Sequence, residues 1–235
     1  MNEQLHTPSP DRGTNFRRAA LAGAGLAAGL LAANRAAAVT PPLTFKDIPG
    51  TGDVKVLNYV LALEQLEADL YHQAILRLTT GGNNALGERI PGLHLSPDQQ
   101  DVFFVKEFGK VEREHRDFLT KTLGANAIKP FKYDFGIQKL HRKKVIELVF
   151  TAEKTGVGAY LGAIPFFATK TYLQTAGAIQ GTEARHTAVF AEVLDDLFDE
   201  NIPTAPPANK NHGIDQPIPP DKVLAMVSPF IVVGK

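Results

Sequence analysis

Glu112-Arg113-Glu114-His115 and Glu183-Ala184-Arg185-His186 are the stretches whose reading decides the fold. Each pairs a glutamate with a histidine three residues on. With 12 glutamates and 7 histidines among 235 residues, chance supplies roughly 0.4 such pairs. At spacing i, i+3 on a helix the two side chains point the same way, so both can reach one ion. Each pair also lies within an apolar stripe. The first belongs to Val102, Val105, Phe108, Glu112, His115 and Leu119, the second to Ile179, Glu183, His186, Phe190, Val193 and Leu197. A charged group placed among core residues needs a partner there.

Working outward, two more stripes carry a matching feature. One follows Leu57, Val60, Leu61, Glu64, Glu67, Ala68, Tyr71, Ala74, Ile75 and Leu78. The other follows Val149, Ala152, Glu153, Gly156, Tyr160 and Ala163. In both, a tyrosine stands seven residues after a glutamate, at Glu64/Tyr71 and Glu153/Tyr160. Seven residues is two turns, so each pair shares a face. The order is a Glu/Tyr helix, a Glu-x-x-His helix, then both again, which reads as an internal duplication of a helix pair.

Start and stop signals place the four helices. The first runs from an Asp53 cap to about Leu78. Ser96-Pro97-Asp98-Gln99 starts the second, which Gly124 ends after Leu123. The third spans roughly Ile137 to Ile164, stopped by Pro165, and the fourth Thr171 to Phe198. A Gly/Asn-rich loop occupies Thr80 to Leu95, and a connector with Pro130 occupies Ala125 to Gly136. The expected architecture is all-α, a four-helix bundle over residues 53–200. Residues 39–52 are an extended lead-in, and 201–235 a tail with seven prolines. The tail's last apolar stretch, Val223 to Val233, either packs back on the bundle or binds a second subunit.

Residues 1–38 read as an export signal rather than part of the fold. Arg17-Arg18 precedes a 15-residue Ala/Gly-rich apolar run, Ala19 to Ala33, too short to span a bilayer comfortably. Arg35-Ala36-Ala37-Ala38 follows as a cleavage site, and the paired arginines resemble a twin-arginine signal. No stable membrane anchor is expected after cleavage, and the mature protein is expected in the periplasm, on the cell surface or outside the cell. The chain has equal basic and acidic counts and no cysteine. It therefore offers no field for nucleic acid, no disulfide frame, no thiolate metal site and no cysteine nucleophile.

Across about Asp53 to Glu200 the sequence resembles the ferritin-like superfamily, whose di-iron and di-manganese members take one Glu from each of two helices and Glu-x-x-His from each of the others. Leu63-Glu64-Gln65-Leu66-Glu67-Ala68 with Tyr71, and Gly181-Thr182-Glu183-Ala184-Arg185-His186, look closest to exported ferritin-like domain proteins, which include the desiccation-related proteins of plants and bacteria. The resemblance implies two Fe or Mn ions. Glu64 and Glu153 would be terminal ligands, Glu112 and Glu183 would bridge, and His115 and His186 would each bind one ion. Mixed oxygen and imidazole donors suit these metals. Tyr71 and Tyr160 are expected to donate to the carboxylates opposite them and to serve the chemistry of the centre.

Some residues keep a second reading. Glu67 competes with Glu64, which is preferred for its matching offset to tyrosine. Asp69 with His72 has no counterpart in the repeat and is expected to face water. Lys139, His141, Arg142, Lys143 and Lys144 read as a solvated basic face. Gly156, Gly158 and Gly162 either leave room for a small molecule or permit close packing. Two functions fit. One is an oxidoreductase acting on Fe(II), O2 or peroxide, including a catalase-like manganese variant, in exported stress protection. The other is a non-catalytic desiccation- or stress-related protein in which metal only stabilises the bundle. A homodimer is the default assembly.

Overall fold

In the computed structural model, residues 41–232 are described, so the expected signal segment at 1–38 lies outside them. Four long helices follow from the four stripes: α1 (Gly52–Leu78), α2 (Gln100–Leu123), α3 (Arg142–Ala163) and α4 (Lys170–Phe198). They form an all-α bundle. α1 packs most extensively on α2 and α3 on α4, α1 and α3 meet through the middle, and α2 and α4 touch more sparsely. Among the described residues no helix is long and apolar enough to cross a membrane.

α1 differs from an ordinary amphipathic helix. Beyond the expected stripe, Asn58, Gln65 and Gln73 are buried too, so α1 is enclosed on two faces. The connector after α2 lies along the second face, and these amides hold it there. Asn58 Nδ2 donates to the carbonyls of Pro49 (3.2 Å) and Asn126 (2.9 Å), and its Oδ1 accepts from the Ile128 amide at 2.7 Å. Gln65 Nε2 donates to the Ile128 carbonyl at 3.2 Å, and Gln73 Nε2 to the Tyr133 carbonyl at 3.2 Å. Spacings of seven and eight put all three on one line along the helix. Each buried amide thereby meets a backbone group that would otherwise lack a partner.

The element boundaries correct several expectations. Ser96 does not cap α2: its Oγ accepts from the Asp98 amide at 3.3 Å within a separate turn, and the helix starts at Gln100. Asp53 does not cap α1. Its carboxylate accepts from the amides of Ala168 (2.7 Å) and Thr169 (3.1 Å), so it serves the start of α4. Ile137–Lys139 is a 3-10 turn, broken at Leu140 by an extended backbone before α3 begins. The Thr80–Leu95 loop contains a short antiparallel hairpin of β1 (Gly81–Asn83) and β2 (Arg89–Pro91). Gly81 has φ +77°, and a side chain there would meet the Ile90 carbonyl at 2.6 Å. The residues after β2 donate to the carbonyls of Arg77, Leu78 and Thr79, which satisfies the open C-terminal end of α1.

The basic cluster is not simply solvated. Arg142 forks onto Asp101, with Nε at 2.6 Å from Oδ2 and Nη2 at 2.7 Å from Oδ1, and Asp101 is fully buried. Lys143 pairs with Glu200 and Lys144 with Glu147. These acids offset the positive charge that would oppose the dipole at the start of α3. Asp69 is only partly exposed and accepts from Gln73 Nε2 at 2.7 Å, while His72 is exposed.

The tail packs back on the bundle. α5 (Pro220–Val227) buries Val223, Leu224 and Val227 and lies against α3. β4 (Ile231–Val232) then pairs antiparallel with β3 (Lys132–Tyr133) of the connector. Ahead of α5 the chain crosses α3 at the Gly158/Gly162 notch, where the Ile218 amide donates to the Gly158 carbonyl at 2.8 Å. The two glycines thus admit an irregular segment of the tail, not a small molecule. A Cβ on Gly162 would overlap the Ile218 carbonyl, whereas one on Gly177 would meet nothing within 4 Å. Gly162→Ala is expected to lower stability by about 1–3 kcal/mol and to speed amide exchange at Ile218. Gly177→Ala should raise stability by about 0.5–1 kcal/mol. Urea unfolding with hydrogen exchange checks both.

Candidate metal centre

Glu64 on α1, Glu112 on α2, Glu153 on α3 and Glu183 on α4 are all fully buried, at the level where the four helices face one another. His115 and His186, one turn beyond Glu112 and Glu183, complete the cluster. Their donor atoms fall into two overlapping groups. Glu64, Glu112, His115 and Glu183 form one, and Glu112, Glu153, Glu183 and His186 the other, with the atoms of each within 4.8 Å of one another. Glu112 and Glu183 are common to both. His115 Nδ1 lies 3.1 Å from Glu112 Oε2, 3.4 Å from Glu64 Oε2 and 3.5 Å from Glu183 Oε1. His186 Nδ1 lies 2.8 Å from Glu112 Oε1 and 3.3 Å from Glu153 Oε2.

The two tyrosines cross the bundle. Tyr71 of α1 donates to Glu153 Oε1 on α3, and Tyr160 of α3 donates to Glu64 Oε1 on α1. Each phenol therefore holds the carboxylate of the opposite repeat and leaves that carboxylate's other oxygen turned to the cluster. The pseudo-symmetry stops at the imidazoles. Phe108 stacks on His186 with centroids 3.9 Å apart and planes at 15°, and Phe190 meets Phe108 edge-on at 5.5 Å. This packing fixes the plane of His186. His115 sits in a more open place, its side chain 14% exposed.

Phe108 lies in the expected α2 stripe, and its part in the site has no local signal in the sequence, because it stacks on a residue of another helix. Glu67 is the residue whose place competes with that of Glu64. Both are buried, and Glu67 stands outside the two donor groups but beside them. Its position three residues after Glu64 was the available signal.

Electrostatics show how much this arrangement needs positive charge. Burial, then the charges of Glu183 and Glu112, push Glu64 up to about 8 despite the imidazole of His115 beside it. Burial and neighbouring carboxylates likewise hold Glu67, Glu153 and Glu183 well above the ordinary carboxylate range. Glu112 alone is lowered: burial raises it, but the two imidazoles beside it outweigh that. Burial disfavours the His115 cation, yet its hydrogen bond with Glu112 and the nearby carboxylates of Glu183 and Glu64 push it up to about 12.

The residues fit a metal pair. Glu64 Oε2, Glu112 Oε1, Glu153 Oε2, both Glu183 oxygens and His186 Nδ1 are buried and make no well-directed hydrogen bond, the 2.8 Å approach of His186 Nδ1 to Glu112 Oε1 being an ion-pair contact only. Buried polar atoms are rarely left so, and these converge from four helices on one small volume. Four carboxylates offset the four positive charges of two divalent ions, and the oxygen and imidazole donors suit Fe or Mn.

Metal-free protein should lose stability as pH rises. Glu64 and His115 both bind protons more tightly folded than unfolded. Their contribution is therefore present at low pH and lost as pH climbs, from about 4.5 to 8 for Glu64 and from about 6.5 to 12 for His115. The urea midpoint in a chelator should fall between pH 5 and pH 8. Mn(II) displaces those protons, so its stabilisation should be larger at pH 8 than at pH 5.

A search of characterised protein sequences gives no match. The family model for the ferritin-like domain matches residues 52–196, more than half of the chain. That span takes in α1 to α3, nearly all of α4 and every residue of the buried cluster, and the chain belongs to the ferritin-like domain family.

Proposed function

We propose that this protein holds two Fe or Mn ions and is an oxidoreductase, oxidising Fe(II) or reducing O2 or peroxide in an exported, stress-protective role. The observation that carries the reading is the pair of overlapping donor groups that share Glu112 and Glu183, with unpartnered oxygens and an unpartnered imidazole nitrogen turned inward. When bound, two such ions supply the two electrons that O2 or peroxide takes up, or cycle in a catalase-like reaction.

The chain's own residues prepare that chemistry. Glu64 with His115 and Glu153 with His186 would hold one ion each, and Glu112 and Glu183 would bridge. Tyr71 and Tyr160 anchor one oxygen each of Glu153 and Glu64, which keeps the other oxygen aimed at the cluster. Burial keeps both phenols protonated, so each is a fixed donor rather than a competing anion. Phe108, Phe190 and the surrounding aliphatic core exclude water beside His186.

Export rests on Arg17-Arg18, the apolar run and the Ala36–Ala38 site. A twin-arginine route carries folded proteins, so the centre would be loaded before translocation. Arg17→Lys with Arg18→Lys is expected to retain the protein inside the cell, as fractionation would read.

Metal content of the purified mature protein is the first test, beside Glu112→Ala/Glu183→Ala. Near two Fe or Mn per chain are expected in wild type and none in the variant, with rapid oxidation on adding O2 or peroxide to the Fe(II)-loaded form. Two bound ions without turnover would leave the stabilising, non-catalytic role. A folded wild type that takes up neither metal would overturn the proposal. Tyr71→Phe and Tyr160→Phe should each weaken metal binding by roughly 10-fold or more. Their factors should be similar, because the two bonds are related by the repeat; metal titration measures them.

A further inference from the structure

Glu67 is a buried carboxylate that the proposed centre does not use and, unlike buried Asp101 and Glu147, it has no cation paired with it among the described residues. It is 3% exposed, and its Oε2 has no hydrogen-bond partner. An isolated carboxylate so placed is costly unless a compensating charge stands near. Its neighbour across the core is Glu183, one of the two shared carboxylates. Both approach the bare Cα of Gly156 on α3. A Cβ on Gly156 would lie 3.0 Å from Glu183 Oε2 and 3.1 Å from Glu67 Oε1. Glycine at 156 therefore keeps the way between the two carboxylates clear. On its other side Glu67 lines a small cavity with Leu63, Leu66, Ala152, Thr155 and Val227, which contains no cationic group.

We infer that Glu67 is a seventh protein ligand, recruited when the metal pair carries more than four positive charges. The inference rests on the two-metal reading above. Four glutamates neutralise two divalent ions, and with that pair Glu67 is surplus. Two trivalent ions leave the four glutamates two charges short, and Glu67 is the nearest buried carboxylate able to supply one. Its place beside Glu183 directs it to the shared side of the cluster. The fifth carboxylate would thus set a preference for ions in the higher oxidation state and retain them after oxidation.

The test compares Mn(II) with Ga(III), a trivalent ion without redox chemistry, in wild type and Glu67→Gln. Each protein is loaded with one ion, and loss to a chelator is followed by elemental analysis. Expected are equal Mn(II) content and equal Mn(II) release in both proteins, with Ga(III) released at least ten-fold faster from Glu67→Gln. Glu67→Leu, which leaves no buried polar atom at that position, should behave the same and serves if the amide is poorly tolerated. Equal Ga(III) release, or Mn(II) and Ga(III) release accelerated by the same factor, overturns the role of Glu67 while leaving the two-metal centre intact. A wild type that takes up neither ion overturns both.

Discussion

Five glutamates buried in one bundle core are the constraint to which the rest of this structure answers. Glu64, Glu67, Glu112, Glu153 and Glu183 lie within reach of one another's charge, and four of them are shifted upward toward neutrality. Removing carboxylates from water costs several kcal/mol each unless they are paired or neutralised. The helices around them can supply only partial relief. Two tyrosines donate from the opposite repeat, and His115 and His186 bring imidazoles to Glu112. What is left over is a set of inward-facing donors that is stable in the core only with protons or cations among them.

Holding such a core requires a rigid frame, and α1 is its axis. Its apolar stripe and Glu64 face the bundle, while Asn58, Gln65 and Gln73 bind the connector on the far side. Because α1 is enclosed on both faces, its carboxylates are fixed from behind as well as from the front. The tail adds a second clamp through the Gly158/Gly162 notch and the β3–β4 pairing. α2 and α4, which carry the Glu-x-x-His pairs, are by contrast the less covered helices. Glu64 and Glu153 thus sit on the enclosed helices, and Glu112 and Glu183, common to both donor groups, sit with the two histidines on the less covered ones.

Much of this was legible in the residues. Apolar spacing located four helices, and glutamates out of place in those stripes marked the positions that meet in the core. The matched seven-residue offset to Tyr71 and Tyr160 exposed the repeat. Boundaries were less legible, since Ser96 and Asp53 carry capping chemistry but spend it elsewhere: Ser96 in a local turn, Asp53 on the amides that open α4. The β1–β2 hairpin was hidden by a Gly/Asn-rich composition without strand alternation.

The sequence by itself determined which side chains share a helix face, because that depends only on the 3.6-residue turn and on local spacing. It therefore determined the four glutamates, the two histidines and the tyrosine offsets as a repeating set. Only the tertiary structure decided what each face meets. That Tyr71 reaches Glu153 and Tyr160 reaches Glu64, that Phe108 stacks on His186, that the tail fills the glycine notch and that Glu67 stands beside Glu183 are contacts between elements tens of residues apart. Their partners are chosen by how the helices pack, a property of the whole chain that no local pattern encodes.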